Sequence, residues 1–278
     1  MFKQVELTDA EFEKISRLIY DQCGICLGQG KESLVRSRLG KRIREGHFES
    51  FWNYYEHVVQ DSTGEELIRL LDSISTNFTS FFREEQHFDY LGSELLPELV
   101  QRKQQIRGKR TIRLWSAGCS SGEEPYSIAI TLLETIKSPL AWELSILATD
   151  ISTKVLLAAE SGVFSKDRVT SIPHEVLKKY FLRGDRKWRD FVRVKDSLKE
   201  YISFRRLNLM EPFRFGEQFD CIFCRNVMIY FDSKTRTELV SRFYNCLNEG
   251  GAFLIGHSES LTGIKHSFKY VRPAIYRK

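Results

Sequence analysis

Thr111-Ile-Arg-Leu-Trp-Ser-Ala-Gly-Cys-Ser-Ser-Gly-Glu-Glu-Pro-Tyr-Ser-Ile-Ala-Ile130 reads as a strand, a small-residue turn and a helix in succession. Ile112, Leu114 and Trp115 supply the apolar strand, and Gly118 and Gly122 break it. Ser121 or Gly122 serves as N-cap, Glu123 and Glu124 fall in the first helical turn, and Pro125 stands where a missing N–H does no harm. Such a unit builds a ligand pocket at the carboxyl edge of a parallel sheet. No Lys-Ser/Thr follows the glycines, which argues against a triphosphate cradle. The spacing is not G-x-G-x-x-G, and acids at the helix start disfavour a pyrophosphate. The turn suits a ligand carrying hydroxyls and positive charge, such as S-adenosylmethionine (SAM); an ordinary tight strand-to-helix turn is the competing reading.

Working outward, Glu143–Ala148 reads as a second parallel strand ending at Thr149-Asp150. A carboxylate there is placed to bond a ribose diol, or else to cap the helix Thr153–Ser161 together with Ser152. Phe219-Asp-Cys-Ile-Phe-Cys-Arg-Asn226 is a buried strand ending in two polar residues. Helix Ser233–Leu247, a stop at Gly250-Gly251, strand Ala252–Gly256 and an antiparallel tail over 269–278 complete the frame. Between these, residues 181–208 show a polar turn and two alternating stretches, the second at Tyr201–Leu207; this predicts a small antiparallel insertion.

Upstream the pattern is helical. Thr8-Asp-Ala-Glu11 is a capping box, with Phe12, Ile15, Leu18, Ile19 and Cys23 at helical spacing before Gly24. Ser33–Glu45, Ser50–Val59 and Glu65–Ser75 continue as helices, and no strand is expected before residue 110. The expected division is an all-helical domain over 1–75, a linker over 76–84, and an α/β domain over 85–278 carrying the insertion at about 181–208. A helix interrupted at Pro97 opens the α/β domain.

Bulk properties narrow the class. The 278 residues are 42% hydrophobic and 13% aromatic, enough for a large core. No run reaches the length of a membrane span, and Met1-Phe-Lys-Gln-Val-Glu lacks the layout of a signal peptide, so a soluble cytoplasmic protein is expected. Net charge is a mild +5, but Lys31–Arg44 concentrates Lys31, Arg36, Arg38, Lys41, Arg42 and Arg44 against Glu32 alone. A second basic cluster comprises Arg183, Arg186, Lys187, Arg189 and Arg193. Either suits an acidic partner, or is a solvated face. Cys23-x-x-Cys26 and Cys221-x-x-Cys224 mimic metal motifs. The second pair sits in a strand, where i and i+3 face opposite ways, and the first has no partner pair at zinc spacing. Neither a metal nor a disulfide framework is expected.

Asn77-Phe-Thr-x-Phe-Phe-Arg-Glu84, Trp115-Ser-Ala-x-x-Ser-x-Gly-Glu-Glu-Pro-Tyr-Ser127, Thr149-Asp-Ile151, Asn208-Leu209 and Arg225-Asn-Val-Met-Ile-Tyr-Phe231 together resemble the CheR-type chemotaxis receptor methyltransferases. The resemblance spans most of the chain in the right order. It implies a Rossmann-like SAM-dependent methyltransferase sheet with a small N-terminal helical domain and an inserted antiparallel β-subdomain. It also implies methyl transfer from SAM to glutamates of chemoreceptors, with S-adenosylhomocysteine as product. By the same resemblance, Asn77, Thr79 and Arg83 reach the cofactor from the linker, with Glu124 at the first turn, although Glu123 competes for that place. Asp150 holds the ribose, and Asn208, Leu209, Arg225 and Asn226 line the rest. Arg83 and Tyr230 are the catalytic candidates; a surface ion pair and a core tyrosine are their plainer readings.

A glutamate of pKa about 4.3 is already anionic at neutral pH, so transfer needs no general base. Alignment and exclusion of water do the work. Receptor methylation regions resemble acidic helical bundles, which makes Arg36, Arg38, Arg42 and Arg44 the expected docking residues. The insertion resembles a subdomain that captures a receptor C-terminal peptide in some relatives. No nucleic acid partner and no membrane insertion are expected. The competing functions are a SAM-dependent methyltransferase of nucleic acid, and a non-catalytic SAM-sensing module that binds receptors.

Overall fold

The computed structural model describes residues 5–28, 30–74, 79–105 and 110–278. Four amphipathic helices come first: α1 (Asp9–Cys23), α2 (Glu32–Glu45), α3 (Phe51–Gln60) and α4 (Glu65–Ile74). Thr8 and Glu11 close the anticipated capping box on α1, and Gly24 ends the helix at φ 72°. The apolar stripes of the four helices meet in their own core, with Ile15, Ile19, Val35, Leu39, Phe51 and Tyr54 almost wholly buried.

The helix expected around Pro97 is three pieces: α5 (Gln86–Tyr90), a π-helical turn (Leu91–Leu95) and α6 (Leu96–Gln104). Proline lacks an N–H and crowds the preceding turn, so the widened turn lets the rod continue with Pro97 at the start of α6.

Strand β1 (Thr111–Ala117) then enters the centre of a seven-stranded sheet. Gly122 is the N-cap of α7 (Glu123–Thr135), held at φ 100°, a backbone form that favours glycine. A Cβ there would also meet Ala159 Cβ at 2.9 Å. Next come β2 (Glu143–Asp150), α8 (Thr153–Ser161), β3 (Val163–Ser165), α9 (His174–Tyr180), β4 (Phe181–Arg183), β5 (Phe191–Val194), α10 (Asp196–Lys199) and β6 (Ile202–Arg206). The chain closes with β7 (Phe219–Cys224), α11 (Ser233–Cys246), β8 (Leu247–Ile255), β9 (Lys269–Arg272) and β10 (Ile275–Arg277).

The large sheet runs β6-β2-β1-β7-β8-β10-β9. Its first five strands are parallel, and β10 and β9 close it antiparallel. From β1 the chain goes to β2 on one side and later to β7 on the other, so the strand order reverses at β1. A crevice opens at that point, beyond the carboxyl ends.

The separate antiparallel sheet runs β3-β5-β4. It begins at Val163, earlier than anticipated, and it does not contain the second alternating stretch. Ile202–Arg206 instead pairs parallel to β2, as the outermost strand of the large sheet. An edge strand exposes one face whichever way it pairs, so its alternation carries no information on direction.

Cys221 and Cys224 are buried in β7 as expected, and all six cysteines are free. Burial pushes the Cys23 thiol up to about 11.

The start of β7 is fixed by a buried ion pair. Lys103 Nζ on α6 donates to both Asp220 oxygens at 2.7 and 2.6 Å and to the Thr111 carbonyl at 2.6 Å. Asp220 also accepts from the Arg113 N–H at 3.0 Å and from Asn248 Nδ2 at 2.9 Å. Removing one partner of a buried pair costs ~3–5 kcal/mol because the other charge is stranded. With two donors left on Asp220, Lys103→Met falls at the low end of that range. Urea unfolding checks it, and a loss below about 1 kcal/mol, the worth of an exposed pair, would show the pair to be marginal.

Candidate active site

A cavity of about 480 Å³ lies over the carboxyl ends of β1, β2 and β7. Its floor is the β1–α7 turn. Gly118 there sits at φ 85°, and a Cβ on it would come within 2.3 Å of Val227 Cγ2. The Gly118 and Cys119 N–H groups both donate to the Thr149 carbonyl, at 2.7 and 2.9 Å, which ties the ends of β1 and β2 together. Thr79, Arg83, Glu124, Asp150, Asn208, Leu209, Arg225, Asn226 and Tyr230 all face the cavity. Asn77 lies outside the described residues.

Arg225, at the end of β7, holds three chain segments together. Its side chain is 2% exposed. Nη1 donates to Glu124 Oε2 at 3.1 Å; Nε and Nη2 donate to Glu84 Oε2 at 3.2 and 3.0 Å; Nη2 also meets the Arg83 carbonyl. The linker and the first turn of α7 are thereby clamped to one guanidinium. Burial works to raise the Glu84 carboxyl, but the Arg225 charge and the His257 N–H at 3.1 Å overcome it and hold that carboxyl below its ordinary range. Burial lifts the Glu124 carboxyl above its ordinary range, against Arg225 and the Ser116 hydroxyl at 2.7 Å.

The two glutamates at the turn differ in what they face. Glu124 faces the cavity, whereas Glu123 is buried on the other side against Arg168 and Ser121. Asp150 accepts from the Ser120 N–H at 2.9 Å and the Ser152 N–H at 3.0 Å, and it faces the cavity as well. The side-chain cap of α8 is Ser152. Burial raises its carboxyl above the usual value.

The roof comes from the helical domain. Cys23, which ends α1, and Ile25, Cys26 and Leu27 just past it line the cavity, as does Lys31. Asn208 Nδ2 donates to the Gln22 carbonyl at 2.7 Å, the Cys26 N–H donates to the Tyr230 carbonyl at 2.8 Å, and the Tyr20 hydroxyl donates to Asp232 at 2.5 Å. Among the described residues the Tyr230 hydroxyl has no hydrogen-bond partner, and its ring is half-buried.

Two residues carry more than the sequence reading gave them. Glu84 received no role although it ends a quoted motif. Glu259 was not singled out; its carboxylate accepts the N–H groups of Asn226 at 2.9 Å, Gly256 at 2.6 Å and Ile229 at 3.2 Å. That bracket holds Asn226 in the left-handed region at φ 59°. An acid four residues beyond the end of β8 was the available signal.

The four arginines of α2 do not form one face. Arg36 and Arg44 are exposed. Arg42 is 22% exposed and makes a two-pronged pair with Glu66, Nε to Oε1 at 2.6 Å and Nη2 to Oε2 at 2.7 Å. Arg38 donates to the Ile74 carbonyl at 3.3 Å. Arg42 and Arg38 therefore hold α2 on α4, and Arg36 and Arg44 are the exposed pair.

Comparison with known proteins agrees with this geometry. The family model for the CheR methyltransferase SAM binding domain matches residues 77–276, and that for the CheR methyltransferase all-alpha domain matches residues 10–75. A chemotaxis protein methyltransferase of Borreliella burgdorferi is 41% identical, with 99% of this chain and 96% of that protein aligned. Chemotaxis protein methyltransferase 2 of Pseudomonas aeruginosa is 38% identical over 99% and 95%, and the Escherichia coli chemotaxis protein methyltransferase 36% over 99% and 93%.

If Arg225 is what shapes the cavity, a lysine there spans only one of the two carboxylates. Arg225→Lys is expected to weaken S-adenosylhomocysteine binding by at least about tenfold, equivalent to ~1.4 kcal/mol, as titration calorimetry would show. Unchanged affinity would mean that the bridge is not needed to hold the walls.

Proposed function

The chain belongs to the CheR methyltransferase family, and from that premise and the cavity we propose how it performs methyl transfer from SAM to chemoreceptor glutamates. It is a SAM-dependent methyltransferase of the chemotaxis type. The observation that carries the reading is the cavity at the strand-order reversal, walled by Glu124 and Asp150 and roofed by Cys23–Leu27.

The residues fit SAM. Asp150, whose carboxylate is already oriented by two N–H groups, holds the ribose hydroxyls. Leu209 and Ile229 give apolar cover, and Glu124 supplies negative charge at the first turn. Asn208, Asn226, Thr79 and the linker's Asn77 complete the binding set. Bound SAM supplies a methyl group made electrophilic by its sulfonium.

The protein's own part is positional. Arg83 orients the incoming glutamate carboxylate, and Tyr230 directs its hydroxyl toward the place of transfer. The acceptor arrives ionised, so neither residue removes a proton. The roof and linker exclude water, which strengthens each of these interactions. The work is done in the cytoplasm, where the receptor's methylation region lies; among the described residues no helix is long and apolar enough to cross a membrane.

Receptors dock through the exposed Arg36 and Arg44 of α2. A second contact is a receptor tail peptide added as a strand to the β3-β5-β4 sheet. Leu182, Trp188 and Phe191 stay exposed beside its β4 edge, and backbone N–H and C=O groups on an unpaired edge accept an extended peptide.

The primary test incubates the enzyme and labelled SAM with chemoreceptor cytoplasmic fragments, with RNA, or with no acceptor. Base-labile methanol from the receptor sample alone is expected, because methyl esters release it and methylated bases do not. Arg83→Ala is expected to lower turnover ~10²–10³-fold with the fold intact, and normal turnover would remove Arg83 from the site. Charge reversal at Arg36 and Arg44 raises the Michaelis constant for receptor in a salt-sensitive manner; an unchanged value at low salt counts against docking. Calorimetry with a receptor tail peptide, with and without residues 184–190, is expected to show binding only to the intact chain.

A further inference from the structure

Behind the Arg225 clamp, away from the cavity lining, Glu84, His87 and His257 bring a carboxylate oxygen and two imidazole nitrogens within 4.8 Å of one another. His87, on α5, is fully buried, and neither of its ring nitrogens has a hydrogen-bond partner among the described residues. Nδ1 stands 3.4 Å from Glu84 Oε2, without the alignment of a hydrogen bond. The His257 ring meets the His87 ring nearly edge-on, centroids 4.9 Å apart and planes at 79°. A buried imidazole with no partner forfeits about 1–3 kcal/mol of desolvation, so its retention calls for a reason.

We propose that Glu84, His87 and His257 form a binding site for a divalent transition metal of the zinc type, and that occupying it antagonises binding in the SAM cavity. Two imidazoles and one carboxylate are the donor set of zinc, cobalt or nickel rather than of magnesium or calcium, which prefer all-oxygen shells. The ligands also differ in the way a usable site needs. His87 is fully buried, whereas His257 is exposed, which leaves room for water to complete the shell. Its backbone N–H stays on Glu84 Oε1 meanwhile, which anchors the carboxylate from the far side.

The antagonism follows from which oxygen is shared. Glu84 Oε2, the one nearest His87, is also the acceptor for two donors of Arg225. A dication on that oxygen repels the guanidinium and competes for its lone pairs. Arg225 then loses two of its three hydrogen bonds to the linker, and the linker carries Thr79 and Arg83 into the cavity. The two sites become linked through one carboxylate. Linkage is reciprocal, so ligand in the cavity weakens the metal by the factor by which the metal weakens the ligand.

Cobalt(II) alone is the probe, titrated into the full-length chain carrying Cys26→Ser to remove the exposed thiol. One equivalent is expected, with visible d–d absorption and no thiolate-to-cobalt charge-transfer band. His257→Ala, a surface change outside the cavity, is expected to weaken cobalt by at least about tenfold while leaving metal-free S-adenosylhomocysteine affinity unchanged. His87→Gln is expected to weaken it similarly, with circular dichroism confirming the fold. S-adenosylhomocysteine and cobalt should each weaken the other by one common factor. No stoichiometric binding, binding unchanged by His257→Ala, or a thiolate band overturns the site; independent binding of the two ligands overturns the antagonism. Failure of the metal-free chain to bind S-adenosylhomocysteine bears instead on the proposed function, and the two failures are distinguishable.

Discussion

One guanidinium sets the shape of the cavity. Arg225 faces two carboxylates from segments far apart in the chain, Glu84 of the linker and Glu124 of α7, and is itself almost wholly removed from water. Desolvating three charges is costly, and a buried cluster of this kind is weak evidence for added stability. Its contribution is geometric: a planar fork with several fixed donors aligns two acids and a carbonyl at once, which a lysine ammonium does not. The strain around it agrees with that role. Phe82, Glu84 and Asn226 all lie at positive φ, at 52°, 56° and 59°, with no glycine among them. Side-chain-bearing residues stay in that region only where the surroundings over-determine them, here through Arg225 on one side and Glu259 on the other.

The helical domain is part of the same construction. The stretch just past α1 roofs the cavity, and α2 begins at its rim with Lys31 on the lining. One helix thus joins the place of chemistry to an exposed basic face at Arg36 and Arg44. The close approach is visible at Gly24, where a Cβ would lie 2.4 Å from Met210 Sδ of the sheet domain. The helix stop and the domain contact use the same residue.

The strand–turn–helix at 111–130, the strands at 143–148, 219–224 and 252–256 and the existence of a small antiparallel sheet were legible in the sequence, because period and turn chemistry are local signals. What escaped was partner identity. Ile202–Arg206 alternates as an edge strand does, and only its neighbour β2 makes it parallel. Arg42 reads as one more charge on a basic helix, yet its partner Glu66 lies 24 residues on, across a helix packing that sequence spacing does not encode. Glu84 and Glu259 were missed for the same reason, since each acts on groups more than 30 residues away. Cavity residues at strand ends were readable because the fold class itself assigns them a place; bridging residues were not, because their meaning is a distance.

The electrostatics of the cavity also bear on which ligand charge it suits. Glu124 and Asp150 both face it, and burial raises both carboxyls, so desolvation penalises the charged form of each. A cationic ligand offsets that cost and a neutral one does not. SAM carries the sulfonium charge and S-adenosylhomocysteine has lost it, while the two molecules are otherwise nearly superimposable in shape. At an effective dielectric near 20, opposite charges 4 Å apart attract by roughly 4 kcal/mol before solvation is subtracted, and each ~1.4 kcal/mol that survives is tenfold in affinity. A cavity walled by two desolvated acids therefore suits a ligand that brings positive charge better than one that has lost it.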